Sequence, residues 1–536
     1  MGLLRRGLLR RDEDEHRRDT GHELPASGKL VATLGSKVAS SSPEQTIRRR
    51  GIESASKGET LSEDPATQNG QGEKLARELA RDPSRLPQLR ARGRAAVERL
   101  QQDGSGNRDP LDFAILLLVA DQPSESFEAV TQSLGRSSLS EIERALESIE
   151  ALAAAARDLR AWNGVRRLLA LGLAARFRSE PALQRIRALG HGSPSLSLPV
   201  VLITGASDAL HDPAIDHVLP LLLQALERFE GTVISGGTHR GVDKLAADLG
   251  AAHAGRIRSV VYVPDSPPPR SQLQREPCDR ELRRCEGADV SPLEWLYVWA
   301  DLLASGIRPD QVPVVAVDAD PTAAAACRIA LALGATVGFV VPGERAGPLP
   351  GDPAWSGIEG LLPLPTDAST LAAFLCPTHR ELALDCREAI ARGLHESYRA
   401  SGVRDLPADD PSLADWDDLA EVLRESNRNN ACHILEKLER IGCRVEVLGE
   451  DEAPDFAFTS REVELLSEIE HGRWNVERLR AGWRWGPERD SSRSVSPYLV
   501  AWSALSDDIR DYDRRTVREI PALLARVGLV ARRSRA

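Results

Sequence analysis

The sequence of 536 residues is poor in several residue types. Methionine occurs once, at position 1, lysine is scarce beside abundant arginine, and Phe, Trp and Tyr together make up 4% of the chain. We interpret the scarcity of lysine and methionine as codon bias of a GC-rich bacterial genome. The seven cysteines form no C-x-x-C pair and have no histidine at a ligand-like spacing. We therefore expect reduced thiols, as in a cytoplasmic protein, and no metal site.

Long hydrophobic runs are also missing. Residues 113–120 are apolar but too few to cross a bilayer, and Arg328 and Gly334 interrupt the run from 323 to 341. No stretch has the pattern of a signal peptide. We therefore expect a cytoplasmic protein with no membrane contact. The net charge of -11 at pH 7 argues against a nucleic-acid partner, which would need a basic surface.

The length predicts three or four domains, and composition places their boundaries. Residues 1–72 are polar and charged and cannot bury enough apolar surface to offset their chain entropy, so we expect disorder there. Residues 73–192 have leucines at helical spacing, with Ser140 to Glu143 resembling a capping box, and predict a helical spacer or docking module. Three further segments complete the organisation: 198–375, 376–450 and 459–534.

Residues 198–375 alternate between short β-branched runs and helical patterns. The predicted strands cover 200–204, 232–235, 259–263, 312–317 and 336–341. Such alternation predicts an α/β fold with a doubly wound, parallel, Rossmann-like sheet, whose ligands lie beyond the carboxyl ends of the strands. The Pro- and Arg-rich residues 265–289 are predicted to loop over that site.

Two strand ends in this segment are rich in glycine and small hydroxyl residues: Val200-Val-Leu-Ile-Thr-Gly-Ala-Ser207 and Thr232-Val-Ile-Ser-Gly-Gly-Thr-His-Arg-Gly-Val-Asp-Lys244. Glycines there allow a sharp turn that exposes backbone N–H groups, and the next helix directs its positive dipole end to the same place. This favours a phosphate site, although a plain turn would have the same pattern. The candidate ligand contacts are Gly205, Ser207, Gly236, Gly237, Thr238, Arg240 and Asp318.

The motif Gly-Gly-Thr-x-Arg-Gly-Val-Asp after a strand, together with Thr-Gly-Ala after the earlier strand, resembles the SLOG family. This Rossmann-like superfamily includes Smf-type DNA-processing proteins, LOG nucleoside-monophosphate hydrolases and the N-terminal regions of melastatin-type TRP channels. The resemblance covers residues 198–375. It implies that the segment binds a nucleotide or a nucleotide-derived ligand.

The carboxyl-terminal segments predict an internal repeat. Pro411-x-Leu-x-x-Trp416 matches Pro497-x-Leu-x-x-Trp502 at an offset of 86 residues, and the match continues to Gly442 and Gly528. Upstream, His395-x-x-Tyr matches His471-x-x-Trp at an offset of 76, so the second copy carries a longer loop. A constant offset across a long stretch is typical of a duplicated unit.

The second copy is similar to the RyR domain, named for its repeats in ryanodine receptors. The similarity spans residues 459–529 and is carried by His-x-x-Trp-x-x-x-Arg-x-x-x-Gly-Trp-x-x-Gly-Pro from His471, by Pro497-x-Leu-x-x-Trp502, and by Asp-Arg-x-x-Val-x-x-Ile-Pro from Asp513. The first copy lacks the Gly-Trp-x-x-Gly turn and has Ser-Asn-Arg in place of Tyr-Asp-Arg.

One helix of this second copy has His, Trp and Arg on a single face, since they are spaced three and four residues apart. With the following Trp they could form an aromatic, Arg-bearing cleft for a planar base. The candidate cleft residues are His471, Trp474, Arg478, Trp483 and Arg514. Alternatively the Trp residues are core, and Arg428 and Arg514, which recur in both copies, form structural ion pairs.

These patterns support a sensor of a nucleotide or nucleotide-derived ligand, an accessory component of a bacterial signalling, stress or defence system. A LOG-type hydrolase is the alternative, but the motif Pro-Gly-Gly-x-Gly-Thr-x-x-Glu is absent, so we assign no catalytic residue and lean against an enzyme. A Smf-type DNA-binding protein is a further alternative. We expect no cofactor beyond the nucleotide-like ligand, and a protein partner could dock on the helical region or the RyR-like repeats.

Overall fold

The computed structural model describes residues 70–102, 109–155, 160–191, 196–205, 213–236, 241–265, 280–286, 293–318, 321–340, 355, 358–377, 381–400, 410–449 and 455–534. The chain divides into the units Met1–Ser62 and Glu63–Ala536, and every described residue belongs to the second. The disorder expected for residues 1–72 therefore falls almost wholly outside the described residues. Helix α1 already begins at Gln71.

The amino-terminal region is helical, as the leucine spacing predicted. Its described elements are α1 (Gln71–Arg81), α2 (Leu86–Gln102), α3 (Pro110–Val119), α4 (Pro123–Ser133), α5 (Leu139–Ala155), α6 (Arg160–Phe177) and α7 (Glu180–Leu189). The apolar helix α3 is buried among its neighbours. No helix within the described residues is both long enough and apolar enough to span a bilayer.

Two helix starts in this region are capped by residues that the sequence pattern did not identify. The capping box of α5 uses Ser138 and Glu141 instead of Ser140 and Glu143, because the helix begins at Leu139. The first amides of α1 donate to the Asp112 carboxylate of α3, with the Glu73 amide at 2.8 Å. A cap from 39 residues further along the chain has no local sequence signature.

A seven-stranded parallel sheet follows, which confirms the predicted α/β class and the Rossmann-like layout. Its elements are β1 (Val200–Gly205), α8 (Pro213–Ala225), β2 (Gly231–Gly236), α9 (Gly241–Ala252), β3 (Ile257–Pro264), β4 (Arg280–Cys285), α10 (Leu293–Ala304), β5 (Val314–Val317), α11 (Pro321–Leu333), β6 (Val337–Val340), β7 (Leu361–Leu364) and α12 (Ala368–Leu375). The strand order is β4-β3-β2-β1-β5-β6-β7. The chain reverses its direction of travel between β1 and β5, which makes this the topological switch point.

Strand β4 corrects the prediction that residues 265–289 only form a loop. It pairs with β3 and is polar because it lies at the sheet edge, where Leu282 is 53% exposed. Its Arg283 reaches the buried Asp301 carboxylate at 2.8 Å, and Tyr262 donates to the same carboxylate at 2.7 Å. Nδ1 of His191 lies 2.9 Å from Asp301 as well, so this network joins the helical region to the sheet.

The carboxyl-terminal region has two halves that share the order helix, 3-10 turn, helix and strand, and the second half has further short elements after its first helix. The first half (381–449) contains α13 (Leu384–Ala400), a 3-10 turn (Pro411–Leu413), α14 (Glu421–Arg440) and β8 (Cys443–Val447). The second half (455–534) contains α15 (Ser460–Arg480), the short strands β9 (Arg484–Trp485) and β10 (Val495–Ser496), a 3-10 turn (Trp502–Ala504), α16 (Asp507–Arg526) and β11 (Leu529–Arg533). Strands β8 and β11 pair antiparallel, and the helices of both halves share one hydrophobic core.

Helix α15 also packs against the α/β region through α12. A Cβ added at Gly472 would lie 2.4 Å from the backbone carbon of Ser369, so only glycine fits this contact. Val476 and Leu479 of α15 belong to the same core cluster as Phe374 of α12. One side of α15 therefore packs against the α/β region, and another side packs against the other helices of the carboxyl-terminal region.

Candidate ligand-binding site

Three residues of the first predicted site, Gly205, Gly236 and Asp318, are described, and all lie at the carboxyl edge of the sheet. Gly205 ends β1 beside Val317 of β5, and a Cβ on Gly205 would lie 2.1 Å from the Val317 carbonyl oxygen. Asp318 follows β5 with a φ of 44°, a left-handed conformation that aspartate adopts more readily than most residues. These two residues therefore meet at the switch point.

Gly236 ends β2, on the other side of β1. A Cβ added there would lie 2.9 Å from a carboxylate oxygen of the buried Asp243, so this glycine makes room for the first turn of α9. The remaining predicted contacts lie outside the described residues: Ser207, Gly237, Thr238 and Arg240. The glycine positions thus have a steric reason that is independent of any ligand.

A cavity of about 270 Å³ lies between the two halves of the carboxyl-terminal region, and we call it the inter-half cavity. The first half contributes Leu394, His395, Ser397, Tyr398, Ser412, Leu419, Leu423, Ser426, Asn427 and Asn430. The second half contributes Glu470, His471, Arg473, Trp474, Arg478, Trp483, Arg489, Ser496, Tyr498, Ile509, Tyr512, Asp513, Arg515 and Thr516. Four of the five predicted cleft residues line it, and the fifth, Arg514, does not.

Helix α15 directs one face into the inter-half cavity, as the three- and four-residue spacing predicted. The Arg478 guanidinium carbon lies 5.8 Å from the ring centre of Trp474 and 5.1 Å from that of Trp483. Burial lowers the pKa of Arg478, although arginine stays charged at any physiological pH.

Within the described residues Arg478 has no ion pair and no side-chain hydrogen bond. Its neighbour along the helix, Glu477, is ion-paired with Arg473 instead. A guanidinium that is partly desolvated, held between two indoles and not neutralised by a carboxylate favours the binding of an anionic group.

His471 lies deeper on the same face and is 4% exposed. Its Nε2 is 2.9 Å from the Val500 carbonyl oxygen, which can only accept, so Nε2 carries a proton. Its Nδ1 is 3.7 Å from Oδ2 of Asp513. Burial alone would lower the pKa of His471, but the Asp513 carboxylate outweighs it and raises the pKa above its ordinary value of 6.5.

The cavity floor is a buried ion cluster that joins the two halves. Nζ of Lys437, from α14, lies 2.6 Å from Glu470 of α15 and donates to Asn430 at 2.9 Å. Arg473 binds the same carboxylate at 2.8 Å. Burial alone would raise the pKa of Glu470, but Arg473 and Lys437 hold it below its ordinary value of 4.5. The Glu470 carboxylate is thus already ion-paired with two cationic side chains.

Arg514 has a different environment, which it shares with Arg428. Nε of Arg514 donates to Glu464 at 2.7 Å, and Nε of Arg428 donates to Glu388 at 2.6 Å. Each glutamate also accepts from an indole N–H at 3.3 Å, that of Trp502 in one half and Trp416 in the other. These two arginines, as the alternative interpretation held, form structural ion pairs.

Sequence reasoning missed much of the wall of the inter-half cavity. Glu388 and Glu464 share the 76-residue offset of the two histidines, so the repeat could have identified the acids that hold the arginines. Asn427 and Asp513, which share the 86-residue offset, both line the cavity. Arg489 lies in the loop that is longer in the second half, and no repeat position pointed to it.

A family model for the RyR domain matches residues 459–533. The match contains all elements from α15 to β11 and agrees with the span expected from the sequence motifs. It covers the second half of the carboxyl-terminal region, and thus one of the two walls of the inter-half cavity. Within the described residues no group of three or more His, Cys, Asp or Glu side chains could hold a metal ion.

Proposed function

We propose that this protein is a sensor that binds a nucleotide or nucleotide-derived ligand, as an accessory component of a bacterial nucleotide-signalling, stress or defence system. The observation that carries the proposal is Arg478, a cation held between Trp474 and Trp483 with no ion-pair partner among the described residues. A phosphate would supply the missing charge, and the indoles suit a planar base.

The charge balance of the inter-half cavity supports an anionic ligand. Its lining includes four arginines, at positions 473, 478, 489 and 515, and two acids, Glu470 and Asp513. Glu470 is neutralised by Lys437 and Arg473. The remaining arginines of the lining outnumber the one remaining acid, and this excess positive charge would attract an anion from solution.

The sheet supports a second nucleotide-binding region of the SLOG type. Its order places β1 beside β5 at a switch point, where doubly wound folds bind their ligands. Gly205, Gly236 and Asp318 lie at that edge, next to the sequence motif that resembles SLOG proteins. We further infer that the two carboxyl-terminal halves are repeats of one unit, because equivalent Trp–Glu–Arg triads recur in both.

A binding role is favoured over LOG-type hydrolysis because the sequence lacks the Glu-bearing LOG motif. The Smf-type alternative needs a basic surface, which the net charge of -11 argues against. No specific contact among the described residues favours either alternative. We therefore retain the sensor as the proposed function.

The test is a titration of the full chain with a panel of nucleotides, guided by mass spectrometry of nucleotides that co-purify with it. Arg478→Met keeps the aliphatic stem and removes the charge, so binding should weaken by roughly 1.5–3 kcal/mol. The matched control is Arg461→Met, an exposed arginine on the same helix, which should leave affinity unchanged. Saturable binding that ignores Arg478, or no binding by any nucleotide, would contradict the assignment of this cavity.

A further inference from the structure

Asp513 is the acid of the inter-half cavity whose charge is least used. Among the described residues no donor lies closer to its carboxylate than Nδ1 of His471, at 3.7 Å. The other lining acid, Glu470, instead contacts Lys437 at 2.6 Å and Arg473 at 2.8 Å. Since buried polar groups normally find hydrogen-bond partners, a partly buried carboxylate facing a cavity indicates acceptor capacity reserved for a ligand.

The equivalent position in the first half has a different chemistry. Asn427 lies 86 residues before Asp513 and also lines the cavity. Its amide nitrogen donates to the Leu423 carbonyl oxygen at 2.9 Å, so part of its hydrogen-bonding capacity is satisfied within its own helix. An ionised carboxylate can only accept, so Asp513 cannot donate an equivalent hydrogen bond to a backbone carbonyl oxygen. The second half therefore gives the cavity a charged acceptor, where the first half gives a neutral amide.

Asp513 and Arg478 line separate parts of the inter-half cavity. Asp513 lies beside His471, and His471 precedes Arg478 by seven residues on α15, a separation of about 10 Å along the helix axis. This is the scale of one mononucleotide from the edge of its base or sugar to its phosphate. The cavity volume of about 270 Å³ also fits one such unit better than two.

We propose that the inter-half cavity binds a mononucleotide-sized anion in one orientation, with its anionic group on Arg478 and a pair of adjacent hydrogen-bond donors on the Asp513 carboxylate. This inference rests on the proposed function and specifies its ligand class. Two groups of a nucleotide present paired donors: the N1–H and N2–H edge of guanine, and the cis-diol of ribose. Asp513 is then the residue that determines specificity.

The experiment is calorimetric titration of the full chain with guanosine, inosine and adenosine 5′-monophosphates and with the 2′,3′-dideoxy form of the guanine nucleotide. If Asp513 binds the base edge, guanosine monophosphate should bind roughly tenfold to a hundredfold tighter than inosine monophosphate, which lacks the N2 donor. If it binds the diol, the three ribonucleotides should bind alike and the dideoxy compound should bind weaker by a similar factor. This comparison needs no variant, so it does not depend on the folding of one.

Asp513→Asn, which keeps the size of the side chain, should reduce whichever preference the wild-type chain has. Asp508→Asn, an exposed residue on the same helix, should keep it. Wild-type affinities that do not distinguish the four compounds, or an Asp513→Asn variant with unchanged preference, overturn this inference. If binding still depends on Arg478 in that case, the proposed function survives; if no nucleotide binds the wild-type chain, the proposed function fails first.

Discussion

Replacing Glu470 by glutamine should destabilise the carboxyl-terminal region by about 3–5 kcal/mol, the cost of removing one partner of a buried ion pair. The change removes the negative charge beside Lys437, which is 0% exposed and keeps its hydrogen bond to Asn430. Because Lys437 can lose its proton, the destabilisation that its buried charge causes cannot exceed the free energy of neutralising it. With an ordinary pKa of 10.5, neutralising it costs about 5 kcal/mol at pH 7 and about 2 kcal/mol at pH 9.

The sign of the pH dependence follows from burial. Burial already lowers the pKa of Lys437 in the wild-type fold, and loss of the Glu470 charge lowers this pKa further. The added penalty is therefore complete below the folded-state pKa of Lys437 in the variant and shrinks as pH rises towards the unfolded value of 10.5. The cost of Glu470→Gln, relative to wild type, should therefore fall between pH 7 and pH 9. Loss of the Arg473 contact adds a contribution to this cost that does not change with pH in this range, because arginine stays charged.

Urea unfolding followed by tryptophan emission measures this cost, since Trp416, Trp474 and Trp502 lie in the carboxyl-terminal region. The matched control is Arg392→Met, which removes an exposed pair with Asp417 at 2.9 Å and should cost about 0–1 kcal/mol. A Glu470→Gln variant as stable as this control, or a cost that grows with pH, would refute the reasoning.

The remaining predictions concern one ion pair and one helix contact. Arg533 holds the pKa of Glu462 down to about 2, so the stability that this carboxylate contributes is present above pH 4.5 and is lost as pH falls towards 2. Arg533→Met should flatten that loss in acid-unfolding curves, and an unchanged curve would argue against the pair. Gly472→Val should force α15 away from the Ser369 backbone and cost roughly 3 kcal/mol or more in thermal unfolding, whereas wild-type stability would mean that the contact is looser than the structure indicates.

The sequence predicted the architecture where hydrophobic patterning decides it. The β-branched runs that become β1, β2, β3, β5 and β6 are buried on both faces, and that is the pattern parallel strands need. It missed β4, because an edge strand has no apolar run and its arginines serve ion pairs. It also missed β7 and α12, which follow the last predicted strand. The two strands are defined by their neighbours in the sheet and not by local residues, whereas α12 begins after a local cap, Asp367, that the sequence reading did not use.

The candidate site was predicted as far as one helix allows. Helical spacing was sufficient to group His471, Trp474 and Arg478 on one face. The opposite wall comes from α13 and α14, and a cavity between two packed halves has no signature in either half alone. Arg514 belongs to the repeat pattern, but that pattern reflects the Glu464 ion pair and the Trp502 indole N–H beside it.

Gly472 gives α15 a mechanical role in addition to its place in the cavity wall. With no side chain between them, the backbones of α15 and α12 touch, and the Asn475 amide donates to the Thr370 hydroxyl at 3.2 Å beside that contact. Three residues further on, Arg478 faces the cavity. A shift of α15 by a fraction of an ångström on ligand binding would therefore push directly on α12 and the strand β7 before it, with no flexible hinge to absorb the motion.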